Sequence, residues 1–416
     1  MTLAEELTWR GFVNQTTYKD PKQLNTGSIA FYWGVDPSSD SMQVGNLATA
    51  MMVRHFIDHG HKAYLLVGGA TGMVGDPDGK AQERDLLTLE EIAKNKAAIA
   101  KQYDQVFAGQ NFTLVDNYDW FKDIGYLQFL RETGKHAPMR QMLGRDFVQS
   151  RLSEDGAGIS YAEFSYALIQ GYDFLHLHKA HDVNLQVCGA DQWGNSITGV
   201  DLIRRITGHE THVWSAPLIV NKTTGKKFGK SEEGAVWLDP AKTTPTQFYQ
   251  FWINCDDVGV EDYLKIYTLL SKEEINELIK THRLQPQQRQ AQITLAQEVT
   301  KLVHGEKAMR LAETITDFLT GASNIGQADQ AALQALRQEI PTCSVNPDSQ
   351  ITEALVAAHL ASSNTEARRF IQEQAIAINS QKINRERFEA TDFQNGRLLL
   401  RRGKAYKDSA LIELQS

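Results

Sequence analysis

Residues 31–49, FYWGVDPSSDSMQVGNLAT, decide the fold of this chain. The apolar run at 29–35 predicts a buried strand, and the polar stretch that follows Asp36-Pro37 predicts a turn. Gly45-Asn46 then opens a predicted helix, because apolar residues follow at helical spacing. Such a strand–turn–helix unit forms an anion site, since the first amides of a helix lack partners. The stretch alone is a weak indication of phosphate binding, because every parallel α/β protein contains turns of this kind.

A second stretch, KKFGKS at 226–231, combines three lysines, a glycine and a hydroxyl in one predicted loop. Passive surface loops seldom need that mixture. Polar groups also follow two predicted strands, as GGATG at 68–72 and as GADQ at 189–192. Because open α/β sheets bind ligands at the carboxyl ends of their strands, these segments predict one site at that edge.

The segment 163–174 carries Tyr166, Gln170 and Asp173 at intervals of three to four residues. On a helix these three polar groups share one face. Their apolar neighbours favour a helix that lines a polar pocket, and a solvent-exposed face is the alternative that spacing leaves open.

The length of 416 residues predicts two or three domains. Hydrophobic content of 42% and charged content of 23% are ordinary for a globular protein. The three cysteines form no CxxC pair, which makes a disulfide framework or a cysteine-based zinc site unexpected. The N-terminal residues lack the apolar region of a secretory signal, so we expect a cytoplasmic protein.

Charge is unevenly distributed along the chain. The net charge is −8, yet residues 366–407 carry ten Lys/Arg against five acids, or about +5. A basic tail on an acidic body predicts contact with RNA. A solvated charged face is the alternative.

DPSSDSMQVGN at 36–46 resembles the HIGH signature of class I aminoacyl-tRNA synthetases, and KFGKS at 227–231 resembles their KMSKS signature. Between them GGATGMVGDP, NYDWF, EFSYALIQGYDF and GADQWGN resemble bacterial tyrosyl-tRNA synthetases in order and spacing. The resemblance covers essentially the whole chain. One departure stands out, because Gln43 and Asn46 replace both histidines of HIGH.

The resemblance implies an α/β, doubly wound, Rossmann-like catalytic domain with a parallel sheet at 1–235, carrying a connective insertion at about 117–158. An α-helical anticodon-arm domain at 236–325, a linker at 326–349 and a small α+β RNA-binding domain of the S-four type at 350–416 are expected to follow. The family forms homodimers through the insertion. Packing inside one chain is the alternative for the apolar residues there, which are Phe129, Leu130, Met139, Met142, Leu143, Phe147 and Val148.

The implied reaction joins L-tyrosine and ATP into tyrosyl-adenylate, releases pyrophosphate, and transfers tyrosine to the 3′-terminal adenosine of tRNA(Tyr). Mg²⁺ is expected with ATP, and no resident metal or organic cofactor is expected. Residues matched to catalysis are Gln43, Asn46, Lys80, Arg84, Lys227, Lys230 and Ser231. Residues matched to tyrosine are Tyr32, Asp76, Tyr166, Gln170 and Asp173. Residues matched to ATP are Gly34, Asp36, Ser38, Gly45, Thr49, Gly189, Asp191 and Gln192. Residues predicted to bind RNA are Arg368, Arg369, Lys382, Arg401, Arg402 and Lys404.

In the family pattern Tyr32 and Asp173 bind the substrate hydroxyl, and Asp76, Tyr166 and Gln170 surround its ammonium group. A carboxylate is already a nucleophile, so positioning and charge stabilisation should supply the catalysis. Two rival functions are a tryptophanyl-tRNA synthetase and a catalytically silent RNA-binding relative. The changed histidine positions motivate the second rival.

Overall fold

The computed structural model describes residues 1–77, 86–153, 155–231, 234–403 and 406–415. The predicted site residues Lys80, Arg84 and Lys404 lie outside this described part. The chain divides into two compact units, residues 1–242 with 255–295, and residues 243–254 with 296–416. Within the described ranges, none of the helices combines the length and the hydrophobicity that a membrane crossing needs.

Six strands form the sheet of the first unit. They are β1 (Gln15–Thr16), β2 (Ala30–Val35), β3 (Lys62–Val67), β4 (Phe112–Asp116), β5 (Leu185–Gly189) and β6 (His212–Ala216). Their order is β1-β6-β5-β2-β3-β4, with β1 antiparallel and the rest parallel. The chain winds outward in opposite directions from β2 and β5, and ligands bind at such a switch point. Short apolar runs in the sequence predict strands at 29–35, 63–67, 112–115 and 185–188, and all four are confirmed as β2 to β5.

Helices cover both faces of this sheet. Those of the first unit up to residue 207 are α1 (Leu3–Arg10), α2 (Val44–Asp58), α3 (Thr71–Val74), α4 (Leu89–Val106), α5 (Tyr118–Phe121), α6 (Tyr126–Glu132), α7 (Met139–Leu143), α8 (Asp146–Leu152), α9 (Tyr161–His181) and α10 (Trp193–Thr207). On β2, Phe31 contacts Phe56 of α2, whereas its neighbour Tyr32 contacts Phe174 of α9. Because successive strand residues face opposite sides, the sheet is doubly wound, as the sequence predicts.

The insertion at 117–158 consists mainly of the short helices α5 to α8. Met142 and Val148 are buried inside the chain, so part of the apolar insertion packs internally. Met139 and Leu143 are exposed, as is Leu127 at 78%. Internal packing therefore accounts for Met142 and Val148, and a dimer interface stays a prediction for the exposed residues.

A two-stranded ribbon, β7 (Lys230–Ser231) with β8 (Gly234–Ala235), follows the main sheet. The helices after it are α11 (Pro245–Ile253), α12 (Val260–Tyr267), α13 (Lys272–Leu284), α14 (Gln290–His304), α15 (Glu306–Thr320) and α16 (Gln330–Glu339). They account for the helical pattern predicted between 240 and 321. In the second unit, α15 and α16 share an apolar core that includes Phe318 and Leu336.

The C-terminal part contains α17 (Ile351–Ala357), α18 (Asn364–Gln372) and a five-stranded sheet. Its strands are β9 (Thr342–Val345), β10 (Ile376–Ile378), β11 (Gln381–Lys382), β12 (Arg397–Arg402) and β13 (Ser409–Leu414), in the order β11-β10-β12-β13-β9. The segment 326–349, expected as a linker, instead contributes α16 and β9. The parallel pairing of β9 with β13 explains the difference, because it draws this segment into the sheet.

The predicted hairpin around Asn379-Ser380 joins β10 and β11. Both turn residues have positive φ angles, 47° and 69°, which suits a two-residue hairpin loop. Ser363 and Glu366 have the spacing of a capping box in the sequence, and the structure forms one half of it. Ser363 accepts the backbone N–H of Glu366 at 3.2 Å, whereas the Glu366 carboxylate accepts from Ser362.

Candidate active site

The candidate site lies at the carboxyl ends of β2 and β5, between the sheet and α9. Tyr32 of β2 and Gln186 of β5 are paired in register, so their side chains point to the same face of the sheet. Both are buried, at 2% and 3% exposure. Tyr32 also contacts Phe174 of α9. Sheet pairing therefore brings these two buried polar side chains together on the face of the sheet that α9 covers.

Asp173 of α9 is 2% exposed. Its Oδ1 accepts the indole N–H of Trp120 at 3.0 Å, and its Oδ2 accepts from Nδ2 of Asn117 at 3.1 Å. Burial raises the pKa of Asp173 well above its usual range, and the two donors oppose that rise only in part. The carboxyl group is thus held in a fixed orientation inside the protein.

Three polar atoms near α9 and the sheet lack hydrogen-bond partners among the described residues. They are the hydroxyl of Tyr32, Oε1 of Gln170 and Oε1 of Gln186. Burial, and after it the charge of Asp173, raises the pKa of Tyr32 well above its usual range. Because an unpaired buried polar atom is costly, these atoms are candidates for contacts with a polar ligand.

Asp36, which follows β2, connects the strand ends to α9. Its Oδ1 accepts from the hydroxyl of Thr71 at 2.7 Å, and its Oδ2 accepts from the hydroxyl of Tyr166 at 2.6 Å. Asn117 also donates to Thr71, at 3.0 Å. One hydrogen-bonded network therefore joins a residue predicted for ATP to one predicted for tyrosine.

The glycines of the GGATG segment are required by this network. A Cβ on Gly68 would lie 2.2 Å from Oγ1 of Thr71 and 2.3 Å from Oδ1 of Asp36. A Cβ on Gly69 would lie 2.2 Å from Oδ1 of Asp116. Side chains at either position would displace these oxygens.

Asp76 is half-buried and faces the start of α10. Its Oδ2 accepts from Nε2 of Gln192 at 2.5 Å, and Asn195 lies 3.5 Å from its Oδ1. Asn195 in turn donates to Gln192 and accepts from Arg145 of the insertion at 2.6 Å. The insertion is thereby linked to a carboxylate of the predicted tyrosine set.

The N-terminus of α2 carries the two residues that depart from the HIGH signature. Oδ1 of Asn46, the third residue of α2, accepts the backbone N–H of the N-cap residue Gln43 at 3.0 Å, which is one half of a capping box. With its oxygen engaged there, Asn46 retains its NH₂ group as a donor. A Cβ on Gly45 would meet nothing within 4 Å, so open space lies in front of this helix end.

The lysine loop, residues 226–231, meets the same helix end. A Cβ on Gly229 would lie 3.2 Å from Cβ of Val44, and Gly229 accepts the backbone N–H of Val236 at 2.9 Å. Val236 accepts from Val44 in turn. Lys227 is exposed, and Lys230 and Ser231 form β7. The two signature segments, distant in sequence, are therefore adjacent in the fold.

The remaining residues predicted for ATP lie on β2, on α2, at the end of β5 and in the turns that follow β2 and β5. Gly189 lies beside Thr49 and Asp191, because a Cβ on Gly189 would be 3.8 Å from Oγ1 of Thr49 and 2.6 Å from Oδ1 of Asp191. Ser38 is exposed and donates its backbone N–H to Asp36. Gly34 lies within β2 beside Leu66 of β3, where a Cβ would be 3.2 Å from Cδ2 of Leu66.

Two of the predicted RNA-binding arginines on β12 have internal partners. Arg401 donates to the carbonyl of Leu319 at 3.1 Å. Arg402 donates to the carbonyl of Leu360 at 2.9 Å and to Asp408 at 3.0 Å. Their side chains form hydrogen bonds within the second unit, so fewer of their N–H donors are available to a ligand.

The other described members of the basic set are exposed. Arg368 and Arg369 lie on α18, where they form ion pairs with Glu386 at 3.3 Å and with Glu366 at 3.6 Å. Lys382 lies on β11. Exposed ion pairs are weak and exchange readily with solvent, so these cations remain accessible.

Several residues of the site were not predicted from the sequence. They are Thr71, Asn117, Trp120, Arg145, Gln186 and Asn195. All but Arg145 and Gln186 lie within a few residues of a strand's carboxyl end or in the turn after it, which is the signal that would have found them. Gln186 depends on the register of β2 with β5, and Arg145 on the placement of the insertion.

Comparison with known proteins agrees with this geometry. The model of the family described as tRNA synthetases class I (W and Y) matches residues 24–320, and that of the tyrosine–tRNA ligase SYY-like C-terminal domain matches residues 332–407. A tyrosine–tRNA ligase of Latilactobacillus sakei is 43% identical over 415 residues, covering 97% of each chain. Tyrosine–tRNA ligase 2 of Bacillus cereus is 42% identical over 425 residues, covering 100% of both chains.

Among solved structures, a C-terminally truncated mitochondrial tyrosyl-tRNA synthetase of Aspergillus nidulans matches with a TM-score of 0.68 at 29% identity. The match covers 75% of this chain and 92% of that one. These matches give no support to a catalytically silent RNA-binding protein. The chain belongs to the class I tRNA synthetase family and, within it, to the tyrosine–tRNA ligases.

Proposed function

We propose that the buried space between β2, β5 and α9 binds the side chain of tyrosine. Two observations support this proposal. Trp120 and Asn117 donate hydrogen bonds to Asp173, and the nearby Tyr32 hydroxyl lacks a partner among the described residues. A phenol entering this space would donate to Asp173 and accept from Tyr32. Phenylalanine would leave the Tyr32 hydroxyl unpaired and would give Asp173 no donor beyond Trp120 and Asn117, which is the basis for rejecting it.

Replacing Tyr32 with phenylalanine tests this assignment. The variant lacks one neutral hydrogen bond to the substrate, so KM for tyrosine should rise by about 2- to 10-fold. Its melting temperature should hold or rise, because the removed hydroxyl is buried and unpaired. Pyrophosphate exchange and thermal denaturation measure the two effects.

Tyr103→Phe is the matched control, because its hydroxyl donates to the carbonyl of Leu66 at 3.1 Å, away from the proposed pocket. That variant should lower the melting temperature and leave KM for tyrosine unchanged. A Tyr32→Phe variant with unchanged KM would remove Tyr32 from the pocket.

The ammonium group of tyrosine is assigned to Asp76, Tyr166 and Gln170. A carboxylate binds a cation more strongly than a neutral acceptor does, and Oε1 of Gln170 is a second buried acceptor without a partner in the described chain. The bond from Gln192 to Asp76 keeps the carboxylate oriented. This arrangement would direct the substrate carboxylate toward the N-terminus of α2.

ATP, entering with Mg²⁺ bound to its phosphates as part of the substrate, is assigned to the space in front of α2. The helix amides, Gln43, Asn46 and Lys227 would donate to the phosphates, with Lys80, Arg84, Lys230 and Ser231 proposed from the family pattern alone. The adenosine is assigned to Gly34, Asp36, Ser38, Gly45, Thr49, Gly189, Asp191 and Gln192. Attack of the tyrosine carboxylate on the α-phosphorus then expels pyrophosphate, and the donors stabilise the charge that develops.

The C-terminal part is assigned to binding tRNA(Tyr), through Arg368, Arg369, Lys382 and Lys404. Arg401 and Arg402 are assigned a structural role, because they donate hydrogen bonds within the second unit. Removal of the chain after Pro347 is a poor test of it. Such a truncation would leave β9 without β13 and expose the core that Leu399 and Leu411 share with α16.

Substitution of exposed residues tests RNA binding more cleanly. Changing Arg368, Arg369 and Lys382 together to alanine should lower tRNA charging by about 10-fold or more at physiological salt, because these cations would no longer pair with phosphates. The salt dependence of charging should become shallower by about one unit of slope for each phosphate that is no longer neutralised. Tyrosine-dependent pyrophosphate exchange should not change. Exposed Lys101 of α4 provides a control, Lys101→Ala, and equal charging by the triple variant and this control would contradict the assignment.

We assign catalysis to 1–235, the anticodon arm to 236–325 and RNA binding to 350–416, in a cytoplasmic homodimer formed through the insertion. Exposed apolar residues on and beside the insertion support that interface; they are Tyr126, Leu127, Met139, Leu143, Leu152 and Tyr161. Sedimentation of Leu127→Glu should show whether the dimer depends on this surface.

A further inference from the structure

We propose that Tyr263 of α12 is a positioning residue for the lysine loop. This inference rests on the proposed role of that loop in binding the phosphates of ATP. The ring of Phe228, inside the loop, stacks on the ring of Tyr263 with centroids 4.2 Å apart and planes at 24°. Both rings are buried, at 6% and 1% exposure.

The stacked ring determines the side of the loop to which Lys227 points. Phe228 donates its backbone N–H to Ile219 at 2.9 Å, so the chain here is extended beside residues 219–221. Neighbouring residues of an extended chain point to opposite sides. With Phe228 turned inward onto α12, Lys227 is turned outward, and it is exposed.

The helix that carries Tyr263, α12, is held in place by hydrogen bonds from Arg10. The guanidinium of Arg10, 3% exposed, donates to the carbonyls of Lys265, Thr268 and Leu270 at 2.8, 3.0 and 2.9 Å. These bonds tie the C-terminal end of α12 to α1 and satisfy carbonyls that a helix end leaves unpaired. Because α12 is anchored in this way, its tyrosine offers the loop a rigid contact.

Phe228 and the chain beside it have room to move when the ring of Tyr263 is removed. A cavity of about 230 Å³ lies beside it, lined in part by Leu218, Val220, Tyr263 and Ile266. Without the stacked ring, Phe228 could shift toward this space. Lys227 would then spend less time in the orientation that reaches the phosphates, which lowers the rate without altering the tyrosine pocket.

The test compares Tyr263→Leu with Tyr263→Phe. Stacked aromatic pairs contribute enough to predict a fall of about 3- to 10-fold in the single-turnover rate of adenylate formation for Tyr263→Leu. The dissociation constant for tyrosine should not change. Tyr263→Phe retains the ring and should recover most of the rate. Phe228→Leu should resemble Tyr263→Leu, and the double variant should be no worse than either single one.

Two controls separate the possible causes. Tyr249→Leu removes another buried tyrosine, on α11, and should leave the adenylation rate unchanged, which excludes general loss of stability as the explanation. Lys227→Ala tests the loop itself. If Lys227→Ala is slow but Tyr263→Leu matches the parent, the positioning role is wrong and the proposed function stands. If Lys227→Ala has the parental rate, the proposed role of the loop fails first.

Discussion

Replacing Asp173 with alanine should lower kcat/KM for tyrosine in pyrophosphate exchange by about 100-fold or more. The variant lacks the buried oxygens that would accept the phenol proton, and a buried polar group left without its partner is costly. ATP binding should change little, because the proposed nucleotide space lies in front of α2. Equal activation of tyrosine by variant and parent would remove Asp173 from the pocket.

The variant should also change how the free energy of unfolding depends on pH. Burial raises the pKa of Asp173, so the folded chain retains this proton at pH values where the unfolded chain has released it. The free energy of unfolding therefore falls as pH rises from the usual carboxyl range toward the raised pKa. Asp173→Ala should remove that part of the decline. Melting temperatures of both proteins between about pH 4 and 8 measure it.

Replacing Asn46 with aspartate should slow adenylate formation by about 10- to 100-fold and leave α2 intact. Aspartate keeps an oxygen that accepts the Gln43 N–H, and a negative charge suits a helix N-terminus. It lacks the NH₂ donor, however, and repels the phosphates. The expected effect is smaller than that of removing a lone oxyanion donor, because Lys227 and Lys230 are also expected to stabilise the charge that develops on the phosphates.

Alanine variants separate capping from catalysis. Asn46→Ala removes the acceptor of the Gln43 N–H as well as the donor, so it should be slower and also less stable, by about 1 kcal/mol, the typical contribution of one hydrogen bond. Gln43→Ala should be slowed with little change in tyrosine affinity. Histidine at both positions should be tolerated, since the surrounding signature is retained. If all three single variants form adenylate within about twofold of the parent, these amides take no part in catalysis.

The sequence predicts the doubly wound sheet well, because its central strands are buried on both faces. The run Ala63-Tyr-Leu-Leu-Val67 is apolar throughout, and such a run between turn residues has few other structures open to it. The turns after these strands are also recognisable, since GGATG and GADQ combine glycine with polar groups. Tyr166, Gln170 and Asp173 were predictable because helical spacing puts them on one face.

Residues that depend on long-range pairing were not predictable in the same way. Gln186 lies among apolar strand residues, and only the register of β5 against β2 places it beside Tyr32. Arg145 reaches Asn195 across 50 residues of sequence, through a contact that no local pattern encodes. The strand Thr342–Val345 is short and partly exposed, and its pairing with β13 depends on residues some 70 positions away.

Tyrosine-dependent exchange of pyrophosphate into ATP by the full chain measures whether Gln43 and Asn46 serve in a working active site. We expect exchange with tyrosine and none above background with tryptophan or phenylalanine. Exchange with none of the three amino acids, by a protein that still binds tRNA(Tyr), would contradict it.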